Sequence, residues 1–311
     1  MDSKEKIIVS VECGLGDHIT AEPSIRYLIE KVYPDKDIHI FCGWPRVFSH
    51  LNATIHKHNG LKDPLGEGVR KLHTFPATGP LPQSLCFLVT HISDFHSASL
   101  LCRTLPLDDK TIKLVVNSED KVSLALVLGD ADPKNLVLVH AGKSWKSKTF
   151  PASWWLETIN ALIGKGMRVC LVGKRSSDIS ADSTGIVEFD APLGVLDLRD
   201  KLDIGTLFAL VSEAPVLLSN DSSLIQIAGA FDNWIAMIAT CKHPDLVFPY
   251  RNSTPRHKTL ALYKRLLVDD WRYEPIRDQR LQVNVPVLDW TPYLPDPEEV
   301  AREINKRIFN F

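Results

Sequence analysis

The sequence lacks any apolar run close to the roughly 18–20 residues that a membrane-spanning helix needs, and we do not expect its charged opening to act as a secretory signal. It also lacks an excess of either charge, because 36 basic and 38 acidic residues leave a formal net charge of -2. A chain with so little net charge has no overall field that attracts nucleic acid or an anionic membrane. These absences predict a cytoplasmic globular protein without a membrane span.

Cysteine motifs are absent as well. The six cysteines form no Cys-x-x-Cys pair, and most of them lie within apolar stretches. This pattern disfavours a disulfide framework and a zinc site, and it predicts reduced, buried thiols of an intracellular protein. Histidines cluster at His56–His58 and His91–His96, but no HExxH motif or neighbouring cysteine accompanies them, so we expect no functional metal.

The length of 311 residues is about right for two domains of ordinary size. Short apolar runs alternate with segments of helical pattern in both halves, which is typical of βαβ units with a parallel sheet. The polar segment Gly129–Asn135 contains Pro133 and is the predicted linker. We therefore expect α/β domains at residues 1–130 and 131–295, followed by a helix at residues 296–311.

A glycine-containing turn, Gly14–Asp17, follows the predicted strand Ile7–Val11 and precedes a helix. Gly16 leaves room for a ligand to approach the backbone, and a helix start favours an anion such as a phosphate. A dinucleotide-binding fingerprint would need a third glycine where Ile19 stands, which disfavours an NAD-dependent oxidoreductase. The sequence leaves two interpretations of Asp17 open, a helix cap and a general base at the carboxyl end of a strand.

Two further polar loops follow predicted strands in the second half of the chain. Gly142–Lys148 carries three lysines after the strand Leu136–His140, and such lysines either bind a phosphate or are simply solvated. Ser219–Ser223 opens a helix, where Asn, Asp and Ser either cap the helix or bind a diphosphate. All three loops follow the carboxyl ends of strands, which predicts a ligand cleft between two α/β domains.

Three segments resemble glycosyltransferase family 9, the heptosyltransferase-type enzymes. GLGD, followed by Pro23 and an amphipathic helix, resembles the amino-terminal signature of that family. VHAGKSWKSKTFPASWWLETINALIGKGMRVCLVGK resembles its lysine loop, helix and glycine-ended strand, and LRDKLDIGTLFALVSEAPVLLSNDSSLIQIAGAF resembles its later helix, strand and Asp-Ser-Gly segment. The resemblance implies an α/β protein of the GT-B fold, in which two Rossmann-like domains face a central cleft.

The same resemblance implies a role for each domain. Residues 1–130 would bind the acceptor and residues 131–295 the nucleotide-sugar donor, while the helix at 296–311 would pack back on the N-terminal domain. The implied reaction is an inverting transfer of a sugar from a nucleoside-diphosphate sugar to an acceptor hydroxyl. It needs no cofactor and no catalytic metal.

Single residues also match functional positions of the family. Asp17 matches the base that deprotonates the acceptor hydroxyl. Lys148 matches the lysine that contacts the donor phosphate, and Ser144 lies in the same phosphate loop. The helix-start segment that receives the diphosphate is matched by Asp221, Ser222 and Ser223.

Several positions depart from the family pattern. Glu12 and Cys13 replace the usual hydroxyl residues, and Glu12 adds a second carboxylate that can raise the pKa of Asp17 or serve as the base in its place. Ser223 replaces a glycine and Gln226 replaces a histidine. These two replacements keep open the alternative of a non-catalytic nucleotide-sugar-binding protein.

The acceptor is the part of the reaction that the sequence constrains least. Arg251 and Arg256 lie in a basic stretch, and basic and aromatic residues mix again at residues 271–280. We predict that these two arginines contact the acceptor. A glycan or lipid-linked acceptor fits the family resemblance, whereas basic residues beside aromatic ones also suit a modified base in DNA, the acceptor of some phage glycosyltransferases.

Overall fold

The computed structural model describes residues 6–11, 14–57, 70–76, 86–89, 103–104, 109–175, 185–241, 244–249, 251, 258–267 and 287–309. The chain divides into two compact units. The first comprises Met1–Val115 and Pro249–Pro255, and the second comprises Val116–Phe248 and Arg256–Phe311. The first unit therefore ends before the boundary expected at residue 130.

The first unit is built on a six-stranded sheet. Its strands are β1 (Lys6–Val11), β2 (Asp37–Cys42), β3 (Thr54–Lys57), β4 (Arg70–Pro76), β5 (Cys86–Val89) and β6 (Arg103–Thr104). Their order in space is β3-β2-β1-β4-β5-β6, with the first four parallel and the last two antiparallel to their neighbours. Helix α1 (Leu15–Tyr27) follows β1 and continues into a π-helical turn at Leu28–Val32.

The second unit has a larger share of parallel structure. Its main sheet has the strands β7 (Leu136–His140), β9 (Arg168–Leu171), β11 (Leu196–Asp197), β12 (Val216–Asn220), β13 (Trp234–Ile238) and β14 (Thr259–Leu262). All six run parallel in the order β11-β9-β7-β12-β13-β14. Two short strands, β8 (Gly142–Lys143) and β10 (Gly185–Ile186), form a separate antiparallel ribbon.

This strand order creates a topological switch point between β7 and β12. From β7 the chain first builds outward through β9 to β11, and it then returns to place β12 on the opposite side of β7. Open α/β sheets bind their ligands at such a point, outside the carboxyl ends of the strands. Both second-unit loops that the sequence singles out leave the sheet here.

Helices cover the second sheet because their apolar faces need a partner. They are α2 (Ser118–Leu128), α3 (Ala152–Gly164), α4 (Ile204–Glu213), α5 (Ser223–Gly229), α6 (Pro244–Val247) and α7 (Pro297–Phe309). On α3, Trp155, Ile159 and Leu162 recur at helical spacing and are fully buried. The side chain of Asp203 caps α4 by accepting a hydrogen bond of 2.7 Å from the backbone N–H of Thr206.

Helix α2 explains why the second unit begins earlier than the sequence indicates. Its buried residues Leu124 and Leu128 lie on a helix that packs against α4. The predicted linker Gly129–Asn135 is therefore a turn between α2 and β7 inside this unit. Apolar spacing identifies α2 as a helix but does not reveal which neighbour covers its apolar face.

Helix α7 packs within the second unit, whereas the family resemblance implies packing on the N-terminal domain. Val300, Ala301 and Ile304 are buried in the same core as α3. At the preceding turn, the indole N–H of Trp154 donates a hydrogen bond of 3.0 Å to the carbonyl of Pro295. Burial of Val300 and Ile304 favours the packing of α7 on α3, because each fully buried side chain of this size contributes about 1.5–3 kcal/mol.

The described cysteines agree with the prediction of buried thiols. Cys42, Cys170 and Cys241 are buried and free. Within the described parts of the chain, every helix is too short or too polar to cross a bilayer.

Candidate functional site

Two loops meet at the switch point because β7 and β12 are parallel neighbours in register. Ser219 on β12 pairs with His140 on β7, so the next residues of both strands emerge at one edge of the sheet. After β7 the chain forms the lysine loop, Gly142–Lys148, which closes in a 3₁₀ turn at Lys146–Lys148. After β12 it forms Asp221 and Ser222 and then enters α5.

The centre of this edge is an ion pair between Lys148 and Asp221. The ammonium of Lys148 contacts the carboxylate Oδ2 of Asp221, and both side chains are largely buried, with 10% and 13% of their surfaces exposed. The same ammonium lies 4.5 Å from the centre of the Trp145 ring, within range of a cation–π interaction. These contacts hold the ammonium group of Lys148 at the ligand edge of the sheet.

The amide of Asn220 joins the two loops. Its Nδ2 donates hydrogen bonds to the carbonyls of Gly142, at 2.8 Å, and Lys148, at 2.5 Å. Its Oδ1 accepts a hydrogen bond of 3.1 Å from the backbone N–H of Gly142. Asn220 is 1% exposed, and both ends of the lysine loop are therefore attached to the end of β12.

A second attachment comes from the segment that follows β13. The hydroxyl of Thr240 donates a hydrogen bond of 2.7 Å to the carbonyl of Ser147, beside Lys148. The carbonyl of Thr240 in turn accepts from the backbone N–H of Leu267. The lysine loop is thus fixed both to the end of β12 and to the segment after β13.

The other predicted donor residues lie around this pair. The hydroxyls of Ser222 and Ser219 are hydrogen-bonded at 2.9 Å, and Ser223 is the first residue of α5. The backbone N–H of Ser144 donates a hydrogen bond of 3.2 Å to the hydroxyl of Thr149, which shapes the lysine loop. The structure thus brings Lys148 and Asp221 into contact, and binding of donor phosphate by these residues stays a prediction.

Gln226, which departs from the family pattern, lies inside the unit. It is 3% exposed, and its amide Nε2 donates a hydrogen bond of 2.7 Å to the carbonyl of Val247. Gln226, which stands where the family has a histidine, therefore attaches α5 to α6.

His140 is a buried residue of this edge that the sequence analysis does not single out. Its Nδ1 donates a hydrogen bond of 3.1 Å to the carbonyl of Val172. Gly173 follows with a φ of +130°, and a Cβ there would lie 2.4 Å from Ile186 and 2.8 Å from His140 Nδ1. The absence of a side chain at Gly173 therefore leaves the space that the ring of His140 occupies. A histidine at the last position of an otherwise aliphatic strand is the sequence signal that marks it.

His140 is expected to make the stability of the protein depend on pH. Burial lowers its pKa from 6.5 to about 4. The unfolded chain therefore binds a proton at higher pH than the folded chain does, so stability falls as the pH drops from about 6.5 towards 4. The expected loss is about 2 kcal/mol between pH 7 and pH 4.5, which follows from about 1.4 kcal/mol per pKa unit. Urea unfolding at the two pH values measures it.

The matched variant for that measurement is His140→Asn, which removes the titrating group. The variant is expected to lose about 2 kcal/mol less than the wild type between pH 7 and pH 4.5. Equal losses in the two proteins would contradict the assignment to His140.

In the first unit, Asp17 lies at the start of α1, directly after β1. Its carboxylate Oδ2 accepts a hydrogen bond of 2.9 Å from the backbone N–H of Gly14, as in a capping box. Asp17 and Gly16 are both partly exposed. The capping interpretation of Asp17 is therefore confirmed by geometry, while its role as a base stays a prediction.

His18 holds the turn that carries Asp17. Its Nδ1 donates a hydrogen bond of 2.8 Å to the carbonyl of Gly14, and its Nε2 accepts one of 3.1 Å from the backbone N–H of Gly43. One neutral imidazole thus connects the loop after β1 to the loop after β2. Burial lowers the pKa of His18, which favours this neutral form.

Of the remaining predicted site residues, one is buried and two lie outside the part of the chain that the structure describes. Arg251 is buried, with 4% of its surface exposed, so its contact with an acceptor stays a prediction. Glu12 and Arg256 lie outside the described residues. Among the residues that are described, no group of three or more His, Cys, Asp and Glu side chains is arranged to hold a metal.

Comparison with known proteins identifies a family model and several similar solved structures. A family model for glycosyltransferase family 9 (heptosyltransferase) matches residues 97–253. The structure of a family 9 glycosyl transferase from Veillonella parvula DSM 2008 is 12% identical, with a TM-score of 0.66 over 100% of this chain and 99% of that chain. The structure of E. coli ADP-heptose LPS heptosyltransferase II is 13% identical, with a TM-score of 0.59 over 98% of this chain and 99% of that chain.

A third similar structure is that of the dodecameric, iron-containing heptosyltransferase TibC in complex with ADP-D-beta-D-heptose. It is 13% identical, with a TM-score of 0.55 over 98% of this chain and 78% of that chain. TibC comes from enterotoxigenic E. coli H10407. No curated protein matches the sequence. The structural likenesses confirm the predicted GT-B fold.

Proposed function

The chain belongs to glycosyltransferase family 9 and is a glycosyltransferase, and we propose that it transfers a sugar from a nucleoside-diphosphate sugar to an acceptor hydroxyl with inversion at the anomeric carbon. The observation that carries the proposal is the buried Lys148–Asp221 pair at the switch point of the second unit. Ligands of doubly wound sheets bind at such points. Lysine ammonium groups there bind phosphates as point charges.

On the donor side, the reaction breaks the bond between the sugar and the diphosphate. The leaving diphosphate oxygen gains negative charge as this bond breaks. Lys148 provides a positive charge that is already in position, so little reorganisation is needed during the reaction. The hydrogen bonds of Asn220 and Thr240 to the lysine loop support this role, because they fix the backbone carbonyls of Lys148 and of the residue before it.

On the acceptor side, we propose that Asp17 is the general base. The acceptor oxygen attacks the face of the sugar opposite the diphosphate, and its proton passes to the carboxylate. A single displacement of this kind forms one bond as the other breaks, and it inverts the anomeric carbon. The hydrogen bond from Gly14 supports the assignment, since it fixes the carboxylate at a partly exposed helix start.

The donor that we propose to test first is an ADP-activated sugar. The name of one similar enzyme, the E. coli heptosyltransferase II, includes ADP-heptose, and the TibC structure contains ADP-D-beta-D-heptose. We propose a glycan or lipid-linked acceptor, a cytoplasmic location and a reaction without a catalytic metal or cofactor. The buried free thiols Cys42, Cys170 and Cys241 support a reducing compartment.

A thermal-shift panel with ADP, UDP, GDP, CDP and NAD at matched concentrations tests the proposal. A ligand at 100 times its dissociation constant stabilises the folded state by about 2.7 kcal/mol, which raises the melting temperature measurably. We expect one nucleoside diphosphate, with ADP as the first candidate, to give the largest shift. A shift with NAD alone, or with none of the five, would contradict the proposal.

A further inference from the structure

The side chain of Asn220 makes three hydrogen bonds to the lysine loop, and its oxygen also accepts a longer one of 3.4 Å from the hydroxyl of Ser219. Both of its amide hydrogens are used, one on the carbonyl of Gly142 and one on that of Lys148. Its oxygen accepts from the backbone N–H of Gly142. The family resemblance assigns roles to the residues that follow, but it assigns none to Asn220.

The two bonded residues are the two ends of the lysine loop. Gly142 follows β7 and Lys148 ends the 3₁₀ turn, so the amide of Asn220 joins the two ends of the loop. The fit leaves no space for a side chain at Gly142, where a Cβ would lie 2.5 Å from Asn220 Oδ1 and 3.0 Å from His140 Nε2. The loop conformation and the amide therefore depend on each other.

Two consecutive residues of the chain hold the two ends of Lys148. Asn220 binds its backbone carbonyl, and Asp221 contacts its ammonium group. The direction of the lysine side chain is consequently set by the end of β12 and not by the loop alone. Asn220 can therefore orient Lys148 without contacting a ligand itself, while the ammonium group of Lys148 is the group available to a ligand.

We propose that Asn220 is the positioning residue for Lys148 and that it sets the affinity of the second unit for the donor diphosphate. The inference rests on the proposed function, in which Lys148 binds that diphosphate. Without the amide, two buried carbonyls lose their donor and the lysine loop relaxes. The ammonium group then has to be ordered when the ligand binds, which weakens binding without removing any ligand contact.

The experiment measures the dissociation constant of the nucleoside diphosphate selected by the thermal-shift panel. Asn220→Ala is expected to raise this constant at least tenfold, as is Asn220→Asp, which keeps the shape of the side chain but loses both donors. Asn233→Ala is the matched control, because Asn233 is a buried asparagine of the same unit, 3% exposed, whose Nδ2 donates a hydrogen bond of 3.0 Å to the carbonyl of Val211. The control is expected to lower the melting temperature and leave the dissociation constant unchanged.

A double-mutant cycle separates positioning from general destabilisation. If Asn220 acts through Lys148, Asn220→Ala causes no further loss of affinity in a Lys148→Ala background. Additive losses, or an unchanged dissociation constant in both Asn220 variants, would overturn the inference while leaving the proposed function intact. A wild-type protein that binds none of the nucleotides would overturn the proposed function and this inference with it.

Discussion

Replacing Lys148 by methionine is expected to weaken binding of the nucleoside diphosphate about 10–150-fold, because a hydrogen bond to a charged group contributes about 1.5–3 kcal/mol. The ammonium of Lys148 is the charged group that the lysine loop, Asn220 and Asp221 hold at the switch point. The methionine keeps much of the length and apolar packing of the side chain while removing the charge. Isothermal titration with the nucleotide selected by the thermal-shift panel measures the effect.

The control for this prediction is Lys143→Ala. Lys143 belongs to the same loop but is exposed, so its removal is expected to change the affinity little. Replacement of Lys148 alone also leaves the buried carboxylate of Asp221 without its charge partner, which costs about 3–5 kcal/mol of stability. The double variant Lys148→Met with Asp221→Asn removes both charges, and it is expected to recover stability without recovering binding.

These variants distinguish a binding role from a structural one. Recovery of nucleotide binding in the double variant would contradict the role of Lys148 as the phosphate contact. An equal loss of binding in Lys143→Ala would indicate that only the overall positive charge of the loop matters.

Replacing Asp17 by asparagine is expected to lower the rate of sugar transfer about 10²–10⁴-fold, the usual contribution of a general base. An asparagine oxygen can still accept the hydrogen bond from the N–H of Gly14, so the start of α1 is preserved. The donor binds to the second unit in this account, and its dissociation constant is therefore expected to stay unchanged. The comparison uses kcat/KM for transfer to an acceptor identified by screening glycans and lipid-linked sugars.

Two further variants make the assignment of the base specific. Asp35→Asn is the matched control, because Asp35 is an exposed carboxylate of the same unit. Glu12→Gln tests the second carboxylate that the sequence places near Asp17. A large loss of transfer in Glu12→Gln with nearly full activity in Asp17→Asn would contradict the proposed base.

The fold was largely predictable because local patterns agree with the final structure. Strand β7 is an aliphatic run that ends in His140, and every residue of it is buried. Helix α3 carries Trp155, Ile159 and Leu162 at helical spacing, and these residues form part of the core. Patterns of this kind depend only on the periods of helices and strands, so a single sequence displays them.

The position of α7 and the end of the first unit were less predictable for a physical reason. The apolar stripe of Val300, Ala301 and Ile304 predicts a buried helix face but does not identify the surface that covers it. The same holds for Leu124 and Leu128 of α2. The family resemblance implies that α7 packs on the N-terminal domain, whereas in the structure α7 packs on α3.

The candidate site was predictable in its charged residues but not in their support. Lys148 and Asp221 are recognisable from the family resemblance, whereas the sequence predicts for Asn220 only a helix cap or a diphosphate contact. Its importance comes from three hydrogen bonds to residues more than 70 positions away in the chain. Long-range polar contacts of this kind leave no periodic pattern in the sequence.

The central claim is that the donor diphosphate binds to Lys148 at the switch point of the second unit. A crystal structure of the protein with the nucleoside diphosphate selected by the thermal-shift panel tests it most directly. We expect a phosphate oxygen about 2.7–2.9 Å from Lys148 Nζ, the usual length of a charge-assisted hydrogen bond. A diphosphate bound instead at the Gly14–Asp17 turn of the first unit, with Lys148 contacting only Asp221, would contradict it.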